Sequence, residues 1–434
     1  MVSPALQIMR RAFECAVKAV EAEVCLPAHL PDPPAGRTLV VAAGKAAAAM
    51  ARVAEGQWPA DAPLSGLAVT RYGHGVPTSL IEVIEAGHPL PDDAGQGAGR
   101  RALIEAEALG LDDMLLCLLS GGGSALMAVP AEGISLADKQ AATSALLRSG
   151  ASISEINCVR KHLSEIKGGR LALAAWPARV VTLIISDVAG NDPAVIASGP
   201  TVPDPTTAED ARAILKKYSI DAPPLVRAHL KAAPGETLKA GSRAFEHATV
   251  SVAATADDAL AAATDLVRRV GYEPIVLGGN LEGDAEHVAR EHAALALDMA
   301  GTGQKRAIMS GGEMTVALSR PGRGGPNQTY LLALALALEG RSGIWALACD
   351  TDGIDGSEEN AGAWIGPGTL AQARDKGLDA EALLRENNSY EYFREIGNLI
   401  VTGPTRTNVN DFRIVLVNAD DRPQTSGTER VQAQ

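Results

Sequence analysis

The chain has 434 residues, too many for one ordinary hydrophobic core, so two or three domains are expected, and two large ones are our reading. Hydrophobic residues make up 46% of it and charged residues 21%, a globular balance that sets aside disorder and any need for disulfides or metals to build a core. The formal net charge of -13 argues against nucleic-acid and anionic-membrane surfaces, and any anionic ligand must therefore find a locally basic pocket.

The opening stretch MVSPALQIMRRAFECAVKAVEAE carries acids and no uninterrupted apolar region, so it predicts an amphipathic helix rather than a signal peptide. No window approaches 18 apolar residues without charge, and a cytoplasmic protein is expected. Cys15, Cys25, Cys117, Cys158 and Cys349 are odd in number and widely spaced, which reads as reduced thiols.

Short apolar runs ending in glycine then alternate with Ala-rich helical stretches: TLVVAAG, LAVTRYG, MLLCLLSGGG, VVTLIISDVAG, TVSVAAT, PIVLGG, RAIMSGG and IWALACDTDG. That alternation predicts an α/β fold of parallel sheets with crossover helices, with chemistry in the loops beyond the strand ends. A boundary is expected near residue 235, where Pro223, Pro224, Pro234 and Gly235 punctuate a polar stretch, giving domains 1–235 and 236–434. The tail DDRPQTSGTERVQAQ has no apolar periodicity and is expected to be frayed.

In chain order, the first candidate is Lys45, at the start of the Ala-rich helix after the TLVVAA strand. A cation there opposes the helix dipole, a cost that a bound phosphate or carboxylate would offset; a lysine reaching for solvent fits equally well. The loop is no Walker A motif, because Leu39 stands at the first glycine position and Ala46 at the hydroxyl position. Ser120-Gly121-Gly122-Gly123-Ser124 follows a buried strand, and three glycines let several N–H groups curl around a phosphate. It is no dinucleotide fingerprint either, since Leu126 fills the third small-residue position. Asp187 and Asp192, just past the VTLII strand, suit a hard cation or activation of a hydroxyl, and equally a cap or turn.

Further on, Ser310-Gly311-Gly312-Glu313 is followed by Gly322-Arg323-Gly324-Gly325-Pro326-Asn327, in which an arginine bracketed by glycines offers a fork for phosphate or carboxylate. Asp350, Asp352 and Asp355 crowd three carboxylates into DTDGIDG, which calls for a cation, a basic partner or solvent. It is not an EF-hand, because Ile354 and Ala361 occupy ligand positions. His287 and His292 miss a metalloprotease spacing and read as surface residues; His74 and His88 sit in turn-rich segments and admit either local hydrogen bonding or catalysis.

Taken in order, LLSGGGSALM, INCVRKHLSEIKGGRLA, ISDVAGNDPAVIASGPTVPD, SGGEMTV, GRGGPNQ, DTDGIDG and TGPTRTNVND resemble the glycerate 2-kinase (MOFRL) family across nearly the whole chain. The resemblance implies phosphorylation of the 2-hydroxyl of D-glycerate by ATP with Mg²⁺. It also implies a Rossmann-like N-terminal domain facing a smaller C-terminal α/β domain, with room for a homodimer. Lys45 and Arg323 match the family's catalytic positions, and Asp192 is assigned beside them. The expected phosphate and substrate contacts are Ser120, Gly121, Gly122, Gly123, Ser124, Glu313 and Asn327, and the expected metal ligands are Asp187, Asp350, Asp352 and Asp355. Family members have also carried the label hydroxypyruvate reductase, so a nicotinamide-dependent reductase and a non-catalytic phosphosugar-binding module stand as alternatives. Arg406 departs from the pattern, standing where the family usually has a small glycine.

Overall fold

The computed structural model describes residues 3–232, 235–317 and 322–418, so Pro234 and the tail expected to be frayed lie outside the described residues. Its strands in chain order are β1 Thr38–Ala43, β2 Leu64–Arg71, β3 Ile81–Ala86, β4 Met114–Leu119, β5 Arg179–Ile185, β6 Ala248–Ala254 and β7 Glu273–Val276. They continue with β8 Gly283–Asp284, β9 Arg306–Ser310, β10 Met314–Thr315, β11 Ile344–Asp350, β12 Gly362–Ile365, β13 Leu399–Ile400 and β14 Asp411–Val417. All eight apolar runs read from the sequence contribute strands.

The first sheet is wholly parallel, in the order β3-β2-β1-β4-β5-β6. This is the doubly wound order whose direction of growth reverses between β1 and β4, opening a crevice at their carboxyl ends. TLVVAA and MLLCLL are apolar at successive positions because both faces are covered. Val40, Ala42, Leu116 and Leu118 pack toward the helix Ala47–Gln57, whereas Leu39, Val41, Leu115 and Cys117 pack toward the helix Asp93–Glu107. A helical layer outside this sheet buries Leu146, Ile156, Val159, Leu215 and Val226 in a core of its own.

The second sheet corrects the expectation of parallel pairing throughout. Its order is β13-β12-β11-β14-β9-β7, and only β7 and β9 pair in parallel. The reason is β14, whose DFRIVLV segment inserts antiparallel between β9 and β11 after a polar loop rather than after a crossover helix. The boundary near residue 235 also shifts in the structure. TVSVAA pairs with β5 as an edge strand, so residues 248–254 extend the first sheet instead of opening the second.

The N-terminal helix Pro4–Ala19 leaves the first sheet altogether. It lies on the helix Ala256–Arg269 and against β11 and β14, with Phe13 and Phe412 ring centroids 5.9 Å apart. The Thr407 hydroxyl donates to the Val20 carbonyl at 2.7 Å beside it. The surface position expected for His292 is also corrected: it is buried, with Nδ1 2.8 Å from the Tyr330 hydroxyl, because the helix Ala285–Ala300 packs on Pro326–Leu338. Among the described residues no helix is long and apolar enough to cross a membrane.

Candidate active site

The carboxyl ends of β1 and β4 approach so closely that side chains are excluded. Gly44 has φ 136°, and a Cβ there would lie 2.2 Å from the Ser120 hydroxyl oxygen. That oxygen accepts the Ala46 N–H at 3.0 Å, and the Gly121 carbonyl accepts the Lys45 N–H at 2.8 Å. Ser120 therefore ties the two strand ends together and is wholly buried. Ser124 is likewise engaged, its hydroxyl 2.7 Å from that of Ser198. What the loop offers to a ligand is backbone around Gly122, which has φ 83°. Gly121 is closed on its other side, where a Cβ would stand 2.0 Å from an Asp187 carboxylate oxygen.

Lys45 reaches across the crevice to the second sheet. Its Nζ is 2.5 Å from an Asp352 carboxylate oxygen, with 15% of the lysine side chain and 2% of the aspartate side chain exposed. Burial alone would lower the lysine pKa, but the charges of Asp352 and Asp350 outweigh it and hold the ammonium fully charged. Asp352 is pushed up by burial and pulled back below the usual carboxylate range by Lys45. For Asp350, burial together with Asp352 outweighs the pull of Lys45 and raises it far above that range.

Around this pair lies a cavity of about 350 Å³, lined among others by Arg71, His88, Asp187, Glu313, Asp411 and Asn408. Asp187 accepts from the Asn408 amide at 3.1 Å, and burial raises its pKa against the pull of Lys45. Glu313 projects into the open part of the cleft, and loss of hydration with the charges of Asp187 and Asp411 pushes it up to about 7. His88 is pushed down to about 4 by burial, Lys45 and Arg71, so it is neutral at physiological pH. Asp187 also lines two adjoining cavities, one toward Thr255, Gly279 and Asn280 and one toward Asn157 and Arg160.

The second sheet holds its share of the site through one arginine. Arg413 is 1% exposed and donates to the Ser310 hydroxyl at 2.9 Å, to Asp411 at 3.0 Å and to the Gly311 and Gly312 carbonyls. Asp411 in turn accepts from the Asn327 amide at 2.6 Å. Asp355 accepts the backbone N–H groups of Asn327 and Gln328 at 3.0 and 2.9 Å, so it caps the helix Pro326–Leu338. Burial and Asp411 push Asp355 up to about 7.

The site residues expected from the sequence thus divide. Lys45, Gly122, Asp187, Glu313, Asp350, Asp352 and Asp355 come together at one cavity. Ser120, Ser124 and Asn327 serve the framework, as the bonds above show. Arg323 is half-exposed and turned away, in a fork with Glu358 at 3.0 and 2.7 Å and over the Tyr390 ring. Asp192 is an exposed turn residue that accepts the Ala194 N–H at 2.9 Å. Arg406 has φ 63°, the left-handed region that glycine enters without penalty, which accounts for the small residue usual there.

The four expected metal ligands share that cavity without forming a ready-made metal site: among the described residues no group of three or more His, Cys, Asp or Glu could by itself hold a metal ion. Asp352 is taken by Lys45 and Asp355 by the helix it caps. Mg²⁺, however, needs only one or two carboxylates beside phosphate oxygens and water. Asp187, Glu313, Asp350, Asp352, Asp355 and Asp411 crowd six carboxyl groups into the cavity lining beside Lys45 and Arg71, and the raised pKa values of several of them reflect a crowding that a divalent cation would relieve. His88, Arg71, Asn408, Asn410, Asp411 and Arg413 were not among the expected site residues. Arg413 does carry a signal, a lone charge inside the apolar run DFRIVLV.

Comparison with known proteins identifies relatives of the whole chain. Residues 8–231 match a family model described as "Domain of unknown function (DUF4147)", and residues 306–411 match the MOFRL family. A protein of Agrobacterium vitis called a putative hydroxypyruvate reductase is 50% identical over 95% of this chain and 94% of its own. The glycerate 2-kinase of Pyrococcus horikoshii is 40% identical over 88% of each chain. The crystal structure of glycerate kinase from Thermotoga maritima superposes with a TM-score of 0.85 at 37% identity, covering 95% of this chain and 99% of that one.

Proposed function

The chain belongs to the glycerate 2-kinase (MOFRL) family, and from that premise we propose that it phosphorylates the 2-hydroxyl of D-glycerate with ATP and Mg²⁺. The observation that carries this reading is the Lys45–Asp352 pair, which joins the two sheets across the crevice where a doubly wound sheet binds its ligands. Bound ATP would supply the phosphoryl group and Mg²⁺ would neutralise its oxygens. Lys45 presents a fixed positive charge where negative charge develops in transfer. The backbone at Gly122 offers N–H groups to phosphate oxygens, and Asp187 and Glu313 are the carboxylates that would hold the cation. Asp187 also borders the cavity toward Arg160, which supports a role for it in orienting the acceptor hydroxyl.

Arg323 joins the site only by leaving Glu358. A solvent-screened pair of this kind holds weakly, so phosphate charge can draw the guanidinium inward at little cost. Closure would pivot on the two crossings between sheets, residues 20–38 and 254–273, rather than near residue 235. A cytoplasmic setting suits an enzyme with five free thiols that uses ATP.

The first sheet has the strand order of dinucleotide-binding folds, which keeps the reductase name of the Agrobacterium relative in view. The loop after β1 reads GKAAAA and lacks the glycines that admit a pyrophosphate. ADP release that requires both D-glycerate and Mg²⁺ is the expected result; NADH oxidation by hydroxypyruvate without ADP release would overturn the kinase reading.

A further inference from the structure

The motif INCVRKHLSEIKGGRLA has no part in the site described so far. It forms the helix Ile153–His162 and the turn after it, and the helix buries Ile156 and Val159 in the outer helical layer. Asn157 and Arg160 face the other way, into a cavity of about 230 Å³. That cavity shares His88, Gly122, Asp187 and Glu313 with the Lys45 cavity, so the two are continuous.

Three observations mark this lobe as built for a small anion. Arg160 has no hydrogen-bonding or ionic partner among the described residues, and burial lowers its pKa with no carboxylate to offset the loss. Asn157 is 5% exposed, yet its Oδ1 lacks a donor. Behind them, Lys139 is buried with no partner for its Nζ, and Lys167 is buried against only the Met127 and Ala197 carbonyls at 3.2 and 3.4 Å. The charge of Arg160 acts on both lysines. Arg160 supplies the locally basic corner that a chain of net charge -13 needs for an anionic ligand, and it faces Asp187 and Glu313 across the same cavity. The volume is below the range of about 300 to 1,000 Å³ typical of larger ligands and suits a three-carbon acid rather than a nucleotide.

We propose that Arg160 receives the carboxylate of the hydroxy acid substrate and that Asn157 Oδ1 accepts a hydrogen bond from one of its hydroxyls, leaving the hydroxyl to be phosphorylated turned toward Asp187. This rests on the kinase reading and names its acceptor subsite. A nucleotide phosphate presents the same anion chemistry, and the kinetics separate the two.

The test uses the full chain with Arg160→Met, Arg160→Lys and Asn157→Ala, each checked by thermal melting. For Arg160→Met the KM for D-glycerate should rise about 10- to 100-fold, the loss of a charge-assisted hydrogen bond, with the KM for ATP within about twofold. Guanidinium ion in the buffer should recover part of the loss. Asn157→Ala should raise the D-glycerate KM less. A raised KM for ATP with that for glycerate unchanged would give the site to a nucleotide phosphate and overturn the proposal, as would no change in either. Should Arg160→Met not fold, Arg160→Lys carries the same comparison, because a point charge cannot reproduce the fork. Calorimetric titration with D-glycerate reads the subsite without turnover: if the wild-type chain fails to phosphorylate glycerate, the kinase reading fails, while equal binding by wild type and Arg160→Met sinks the subsite.

Discussion

The two walls of the crevice are made in opposite ways. The first sheet supplies strand ends pressed so close at Gly44 and Gly121 that backbone is all the glycine loop can present, with Lys45, Arg71 and Asp187 projecting beside it. The second supplies a buried network of Arg413, Asp411, Asn327 and Asp355, in which most carboxylates are already committed to framework. One wall is shaped by excluded side chains, the other by satisfied ones. Mutations on the first should therefore strike function, and mutations on the second should strike stability.

Lys45→Met is the harshest trial of that division because its partner sits on the other wall. Turnover should fall about a thousandfold, and leaving Asp352 buried without its partner should cost roughly 3 to 5 kcal/mol. Adding Asp352→Asn should restore most of the melting temperature and none of the rate. Recovery of both would refute a catalytic Lys45.

Arg413→Met should cost about 3 to 5 kcal/mol in denaturant unfolding, since it leaves Asp411 buried and unpaired and frees the Ser310–Gly312 turn. Arg323→Ala, on the same side of the molecule, should behave like a first-wall mutant. We expect turnover down about 100- to 1,000-fold and a melting temperature unchanged, because the arginine of its present ion pair is half open to solvent. A normal rate would mean that Arg323 stays with Glu358 throughout the reaction.

Lys139→Met should stabilise the protein. Burial pushes the lysine down to about 7, so between about pH 7 and 10 the unfolded chain binds more protons than the folded one, and stability from this group rises with pH. The substitution removes a cost of roughly 2 to 4 kcal/mol at neutral pH and should flatten that part of the stability profile. The smallest effect is expected at Asp192→Ala, an exposed turn residue, where the rate should stay within about twofold and stability within about 1 kcal/mol. A large loss of rate there would restore Asp192 to the reaction.

The first wall was the more legible in the sequence. Buried parallel strands announce themselves as unbroken apolar runs, and a glycine triplet after one of them marks a place where backbones crowd. The second wall was harder because its organising strand, DFRIVLV, follows the polar loop TGPTRTNVND instead of a helix, and nothing local says that it pairs antiparallel between β9 and β11. The roles of Ser120, Asp355 and Asn327 were hidden for a related reason. Their residue types suit ligands and caps equally, and only tertiary placement decides. Arg160 lay inside a motif matched by resemblance alone, with no glycine turn or strand end to single it out.

The helix Pro4–Ala19 gives the molecule an unusual order of assembly. It leaves the ribosome early in synthesis, but its contacts with Ala256–Arg269 form only after mid-chain, and Phe13 meets Phe412 about 400 residues later. At synthesis rates of about 5 to 20 residues per second, its apolar face with Met9 and Phe13 waits roughly 20 to 80 s for β14 to exist. The first sheet can form in the meantime from segments near one another in sequence, so the nascent chain passes through a stage with one domain built and one greasy helix undocked. Chaperones that hold short apolar segments would act on this helix, and a chain truncated before β14 should be captured by them even though its first sheet is complete.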